Sequence, residues 1–118
     1  MILRIVVPGR PQPKARPRVN RNTKQVYTPS SEVEEGVAGA MQAYEGAMFD
    51  VGRVAVSMFF YGTKAGTDID NIAKLYLDAL VKAKVIEDDS VVDALWIERR
   101  PVDKDGMRAE ILLGEWAG

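Results

Sequence analysis

The sequence predicts an α+β fold, with two layers, in which two helices cover a mixed four-stranded sheet in the order β-α-β-α-β-β. Three observations lead there. Four short runs rich in β-branched and aromatic residues read as strands: "ILRIVV", "RVAVSMFFY", "VVDALWIERR" and Met107 to Leu113. Two of the intervening segments repeat apolar residues at helical spacing. With 118 residues the chain can bury one core but not two, so residues 1–118 are expected to form one domain.

The first strand, residues 2–7, stops at Pro8-Gly9. Next comes an arm, residues 8–27, in which Pro11, Pro13 and Pro17 are spaced among cations. Proline removes backbone donors and disfavours helix before itself, so the arm should be extended or looped. It is long for a connection in so small a domain, and loops of such length tend to be functional or disordered.

A helix is expected from Pro29 or Ser30. Thr28 precedes a proline at the first helical position, and Ser31 with Glu34 offers a capping box. Val33, Val37, Met41 and Tyr44 recur on one face, while Gly36, Gly39 and Gly46 weaken the helix. The strand at 53–61 is apolar on both faces and should be central. After the glycine-containing loop 62–67, a second helix should run from about Asp70 to Lys84. A third strand follows the acidic turn Glu87-Asp88-Asp89, and "PVDKDG" should form a hairpin turn into the last strand. That turn opens like a calcium loop but fails the pattern, with Met107 at the next ligand position and Gly114 at the twelfth. Trp96 and Trp116 suit a core or an interface.

The absent residue types narrow the chemistry. The chain has no cysteine, which excludes disulfides, thiolate metal sites and thiol nucleophiles. It has no histidine either, so any catalysis falls to carboxylates and lysines. Oxygen-only sites suit magnesium or manganese. No apolar run approaches the roughly 20 residues of a membrane helix. The opening "MILRIVV" is too short for a secretion signal and is broken by Arg4, so the expected location is cytoplasmic, with no membrane partner.

Charge is segregated. Residues 1–31 hold seven cations (Arg4, Arg10, Lys14, Arg16, Arg18, Arg21 and Lys24) and no carboxylate, whereas the remainder holds nine basic against seventeen acidic residues. Such an arm points to a polyanionic partner.

The second helix carries the other signal. Asp70, Lys74 and Asp78 stand at successive i,i+4 positions and form one stripe, with Asp68 at the helix entrance. Ile72, Leu75, Tyr76, Ala79 and Ala83 lie opposite and should pack on the sheet. Two readings of the stripe stand. One is a capped helix with a solvated salt-bridge ladder of little energetic weight. The other is a site, because Leu77 and Val81 flank the charges as they would in a cleft or subunit contact. The Glu87-Asp88-Asp89 turn is open in the same way. It reads as a polar turn, yet three carboxylates after a helix C-terminus oppose the dipole, and a divalent cation would offset them.

The string "DIDNIAKLYLDAL…VIEDDSVV", with "GRPQPKARPRV" and "VYTP" before it, resembles the RusA family of Holliday junction resolvases, small endonucleases of bacteria and their phages. The resemblance implies that Asp68, Asp70 and Asp89 form an acidic magnesium site and that Lys74 is the essential lysine. Asn71, Asp78 and Asp88 match motif positions of accessory role. It also implies a homodimer that cuts two strands of a four-way DNA junction symmetrically in recombination and repair, with manganese a possible substitute for magnesium. Arg10, Lys14, Arg16, Arg18, Arg21 and Lys24 would contact DNA phosphates. Thr67 stands where some members carry a cation. The alternatives are a magnesium nuclease acting on other branched DNA and a non-catalytic DNA-binding module.

Overall fold

A computed structural model describes residues 2–14, 18–19, 26–27, 32–42, 49 and 52–116. The elements are β1 (Ile2–Pro8), β2 (Arg18–Val19), β3 (Val26–Tyr27), α1 (Glu32–Gln42), β4 (Val54–Tyr61), α2 (Ile69–Lys82), β5 (Val92–Arg100) and β6 (Arg108–Glu115). A single 3-10 turn, Asp89–Val91, leads into β5. The expected order of four main strands and two helices is present. The arm adds a two-residue ladder, Arg18 opposite Tyr27 and Val19 opposite Val26, which its proline-rich sequence did not announce. The expected capping residues Thr28 and Ser31, and the core position Tyr44, lie outside the described residues.

The main sheet runs β1-β6-β4-β5, with β4 antiparallel to β6 and parallel to β5. The sheet is therefore mixed and β4 is central, as expected. The hairpin is not. "PVDKDG" does turn, with the Gly106 amide donating to the Asp103 carbonyl at 3.0 Å and the Asp105 amide to the Asp103 side chain at 3.0 Å. However, β4 lies between the two strands that this turn joins. Turn chemistry fixes a local reversal and leaves open whether the flanking strands pair with each other or with a third.

Strand alternation divides the sheet into two faces. Ile5 and Val7 of β1, Ile111 and Leu113 of β6, and Val56, Met58 and Phe60 of β4 are buried beneath the helices. From α2, the expected set Ile72, Leu75, Tyr76, Ala79 and Ala83 meets them, joined by Ala73 and Leu80; the Tyr76 ring lies 5.4 Å from that of Phe60. Burying each of the larger side chains contributes roughly 1.5–3 kcal/mol. From α1, Val37 and Met41 are buried as expected.

The other face carries rows such as Val6, Glu110, Phe59 and Glu98. Its guanidiniums are engaged by its own carboxylates. Arg4 and Arg108 both reach Glu110, at 2.6 and 3.2 Å, and Arg100 reaches Glu98 at 2.9 Å. Trp96 lies on edge strand β5 and is 62% exposed, and Trp116 is exposed as well, so neither tryptophan belongs to the core. An edge strand has one neighbour and one covered side at most, and periodicity alone does not reveal that.

Candidate active site and its basic arm

Helix α2 begins where Asp68 leaves extended backbone, at φ −72° and ψ 128°, in the N-cap position. Its carboxylate makes no capping hydrogen bond. An N-cap aspartate ordinarily accepts from the second or third helical amide, so capping does not explain this residue. Asp70, in the first turn, is exposed and accepts from the Asn71 amide at 3.0 Å. Lys74, one turn further on, is exposed and makes no ion pair among the described residues.

The solvated ladder is therefore not formed. Asp78 turns to the arm instead, where the Lys14 ammonium lies 2.8 Å from its Oδ2. The arm is also held by backbone. The Lys14 amide donates to the Asn71 carbonyl at 3.0 Å, and the Asn71 side-chain amide donates back to the Lys14 carbonyl at 3.1 Å. Asn71 thus binds the arm to the helix, and Lys14, expected on DNA, is committed to Asp78. The Gln12 backbone bonds the Tyr76 hydroxyl one turn along. Burial nevertheless dominates that hydroxyl and pushes its pKa up to about 12.

At the far end of α2, a groove of about 330 Å³ is lined by Asp78, Val81, Lys82, Asp88 and Asp89. Val81 is the apolar wall expected beside the charges, while Leu77 is half-buried against the core. The two aspartates of the pair differ. Asp88 accepts from Ser90 Oγ at 2.7 Å and from the Ser90 amide at 3.4 Å, and these bonds hold its pKa below the usual carboxylate range. Asp88 caps the 3-10 turn, which offsets part of the charge that three adjacent carboxylates accumulate. Asp89 opens that turn and is exposed.

The donor chemistry of Asp68, Asp70 and Asp89 fits a hard divalent cation, since all are exposed carboxylates in a chain without histidine or cysteine. Among the described residues no three such side chains stand close enough together to share one ion.

Among the expected phosphate contacts, Arg10 is exposed at the arm's start, the side chain of Arg18 is not described, and Arg16, Arg21 and Lys24 lie outside the described residues. The sequence reading passed over a second groove, of about 540 Å³, between residues 10–13 and 64–67. It brings Lys64 opposite Arg10. The signal was a cation inside the glycine loop "GTKAGT".

An acidic helix entrance with an exposed lysine one turn on, beside a docked cationic arm, suits a protein that works on a polyanionic backbone. The chain belongs to the RusA endodeoxyribonuclease family, whose model matches residues 8–113 and so takes in both the arm and the site. No curated protein matches the sequence. Among the described residues, no helix is long and apolar enough to cross a membrane.

Proposed function

We propose that this endodeoxyribonuclease is a magnesium-dependent resolvase of four-way DNA junctions, making paired symmetric incisions as a homodimer during recombination and repair in the cytoplasm of a bacterium or a phage-infected cell. The observation that carries this reading is that Asp68, Asp70 and Lys74 are all exposed within the entrance and first turns of one helix.

Asp68, Asp70 and Asp89 would hold the ion. When bound, magnesium, or manganese in its place, supplies an activated water and neutralises charge on the phosphate. Lys74 approaches from the same helix and donates to a phosphate oxygen as charge develops there. The cations of the arm engage backbone phosphates, which gives affinity without sequence preference and with a steep salt dependence. The open face of the sheet, where arginines are already matched to carboxylates, offers a polyanion much less. Two sites in a dimer face two strands, as paired incision requires.

The test is cleavage of a synthetic four-way junction, alongside flaps and forks, by wild type and Asp70→Asn, with magnesium and with chelator. Symmetric nicks confined to junctions and dependent on both the ion and Asp70 support the proposal. Equal cutting of flaps and forks would make the chain a general branched-DNA nuclease. Tight binding without cleavage by wild type would make it a binding module.

A further inference from the structure

The groove between residues 10–13 and 64–67 has two fixed walls. On the arm side, the reciprocal bonds between Lys14 and Asn71 and the Lys14–Asp78 ion pair fasten the chain to α2 just after the groove. Just before it, the Gly9 amide donates to the Met107 carbonyl at 3.0 Å. On the loop side, the Thr67 amide donates to the Lys64 carbonyl at 3.2 Å, which closes a turn with Gly66 at φ +82°. Arg99 of β5 donates to the Thr67 carbonyl and ties the loop to the sheet edge. A Cβ on Gly66 would meet nothing within 4 Å, so bare backbone faces open space there. The lining contains two cations, Arg10 and Lys64, and no carboxylate. Thr67 leads directly into Asp68.

We infer that this groove is a subsite for one DNA strand next to the acidic centre, with Arg10 and Lys64 on its phosphates and Asn71 as the positioning residue that sets its arm wall. The inference rests on the DNA-directed reading above and extends it to a surface that binds rather than cuts. Cations on walls already held in place bind a polyanion without first ordering a loop, which preserves affinity. Asn71 acts here through the arm, and Lys14 contributes its backbone and its bond to Asp78 rather than a phosphate contact.

The test measures equilibrium binding of a synthetic four-way junction by the full chain in chelator, across a range of salt, so that cleavage plays no part. Lys64→Ala and Arg10→Ala should each weaken binding several-fold and flatten the slope of log affinity against log salt by about 0.9. Lys64→Arg should restore both, and Lys104→Ala, on the exposed β5–β6 turn, should change neither. Asn71→Ala should weaken binding and speed tryptic cleavage after Lys14 while the melting temperature of the core barely moves. Should that variant fold poorly, Tyr76→Phe loosens the arm at Gln12 and should show the same pair of effects. Wild-type affinity and salt slope in both Lys64→Ala and Arg10→Ala would overturn the subsite, even if wild type cuts junctions in magnesium. Conversely, these binding defects in a protein that cuts no DNA would uphold the subsite and sink the nuclease reading.

Discussion

Arg108 grips Asp103 with both terminal nitrogens, Nη1 to Oδ1 at 2.6 Å and Nη2 to Oδ2 at 3.0 Å, while its guanidinium carbon lies 3.8 Å from the centre of the Tyr61 ring. The same guanidinium donates to the Gly106 carbonyl at 2.9 Å and to Glu110 at 3.2 Å. One buried arginine therefore fastens the β5–β6 connection to the end of the sheet. Arg108→Lys keeps the charge but not the planar fork. It should lower the melting temperature by several degrees, as scanning calorimetry would show, without loss of DNA binding.

Acid should destabilise the fold in a characteristic window. Hydrogen bonds from Arg108, Arg53 and Arg100 hold Asp103, Asp93 and Glu98, respectively, below their usual pKa values. For Glu110, burial pulls upward, but bonds from Arg108 and Arg4 overcome it. Groups depressed in this way bind fewer protons folded than unfolded. Their stabilisation is complete above the normal carboxylate range and is lost as pH falls from that range through the lower folded values. Melting temperature followed from about pH 7 to about pH 3 should be flat and then fall, and Asp103→Asn should make the fall shallower.

Gly62 has φ +83°, and a Cβ there would stand 2.5 Å from Val102 Cγ2 and 2.7 Å from Met107 Cγ. Gly62→Ala combines backbone strain with overpacking by a stiff valine. Denaturant unfolding should show a loss of about 1–3 kcal/mol.

Lys84 is the opposite case. It follows the C-cap of α2 in the left-handed region, at φ +61°, and is exposed. Glycine is the usual residue at this position because it has no Cβ to clash. Lys84→Gly should stabilise the protein by about 1 kcal/mol in the same unfolding measurement.

The two adjacent aspartates should separate kinetically. Asp89→Asn should reduce junction cleavage on the order of 100-fold, with binding retained. Asp88→Asn keeps an oxygen for the Ser90 bonds and should retain most of the activity. Equal losses from both would place Asp88 at the metal rather than in the cap of the 3-10 turn.

The limits of what could be read from the sequence follow from the range of each interaction. The buried face of α2 was legible because helical period is local, and so were β4 as a core strand and the Asp103–Gly106 turn. The pairing of β4 with both β5 and β6 was not, because a turn's residues do not specify which neighbour a strand will choose. For Asp78 the sequence left a ladder with Lys74 and a functional site both open, and its partner came from the arm. Asn71 looked like a motif residue of uncertain purpose until its bond to a carbonyl 57 positions away was visible. The acidic residues proposed for the site could be read only as types and positions along the chain. Their spacing in three dimensions depends on how α2 and the 3-10 turn approach each other, which no local pattern encodes.

The strand order has a consequence for synthesis. Ile2 faces Gly114, and β6 separates β1 from β4. Of the four strands of the main sheet, β1 is made before the others and its partner β6 after them, with β4 lacking its β6 neighbour meanwhile. Because β6 lies between β1 and β4, the sheet is complete only once β6 has been made. Such long-range closure is slow and leaves open edges prone to intermolecular pairing. Folding yield in the cell should therefore depend on how quickly the final strand is delivered.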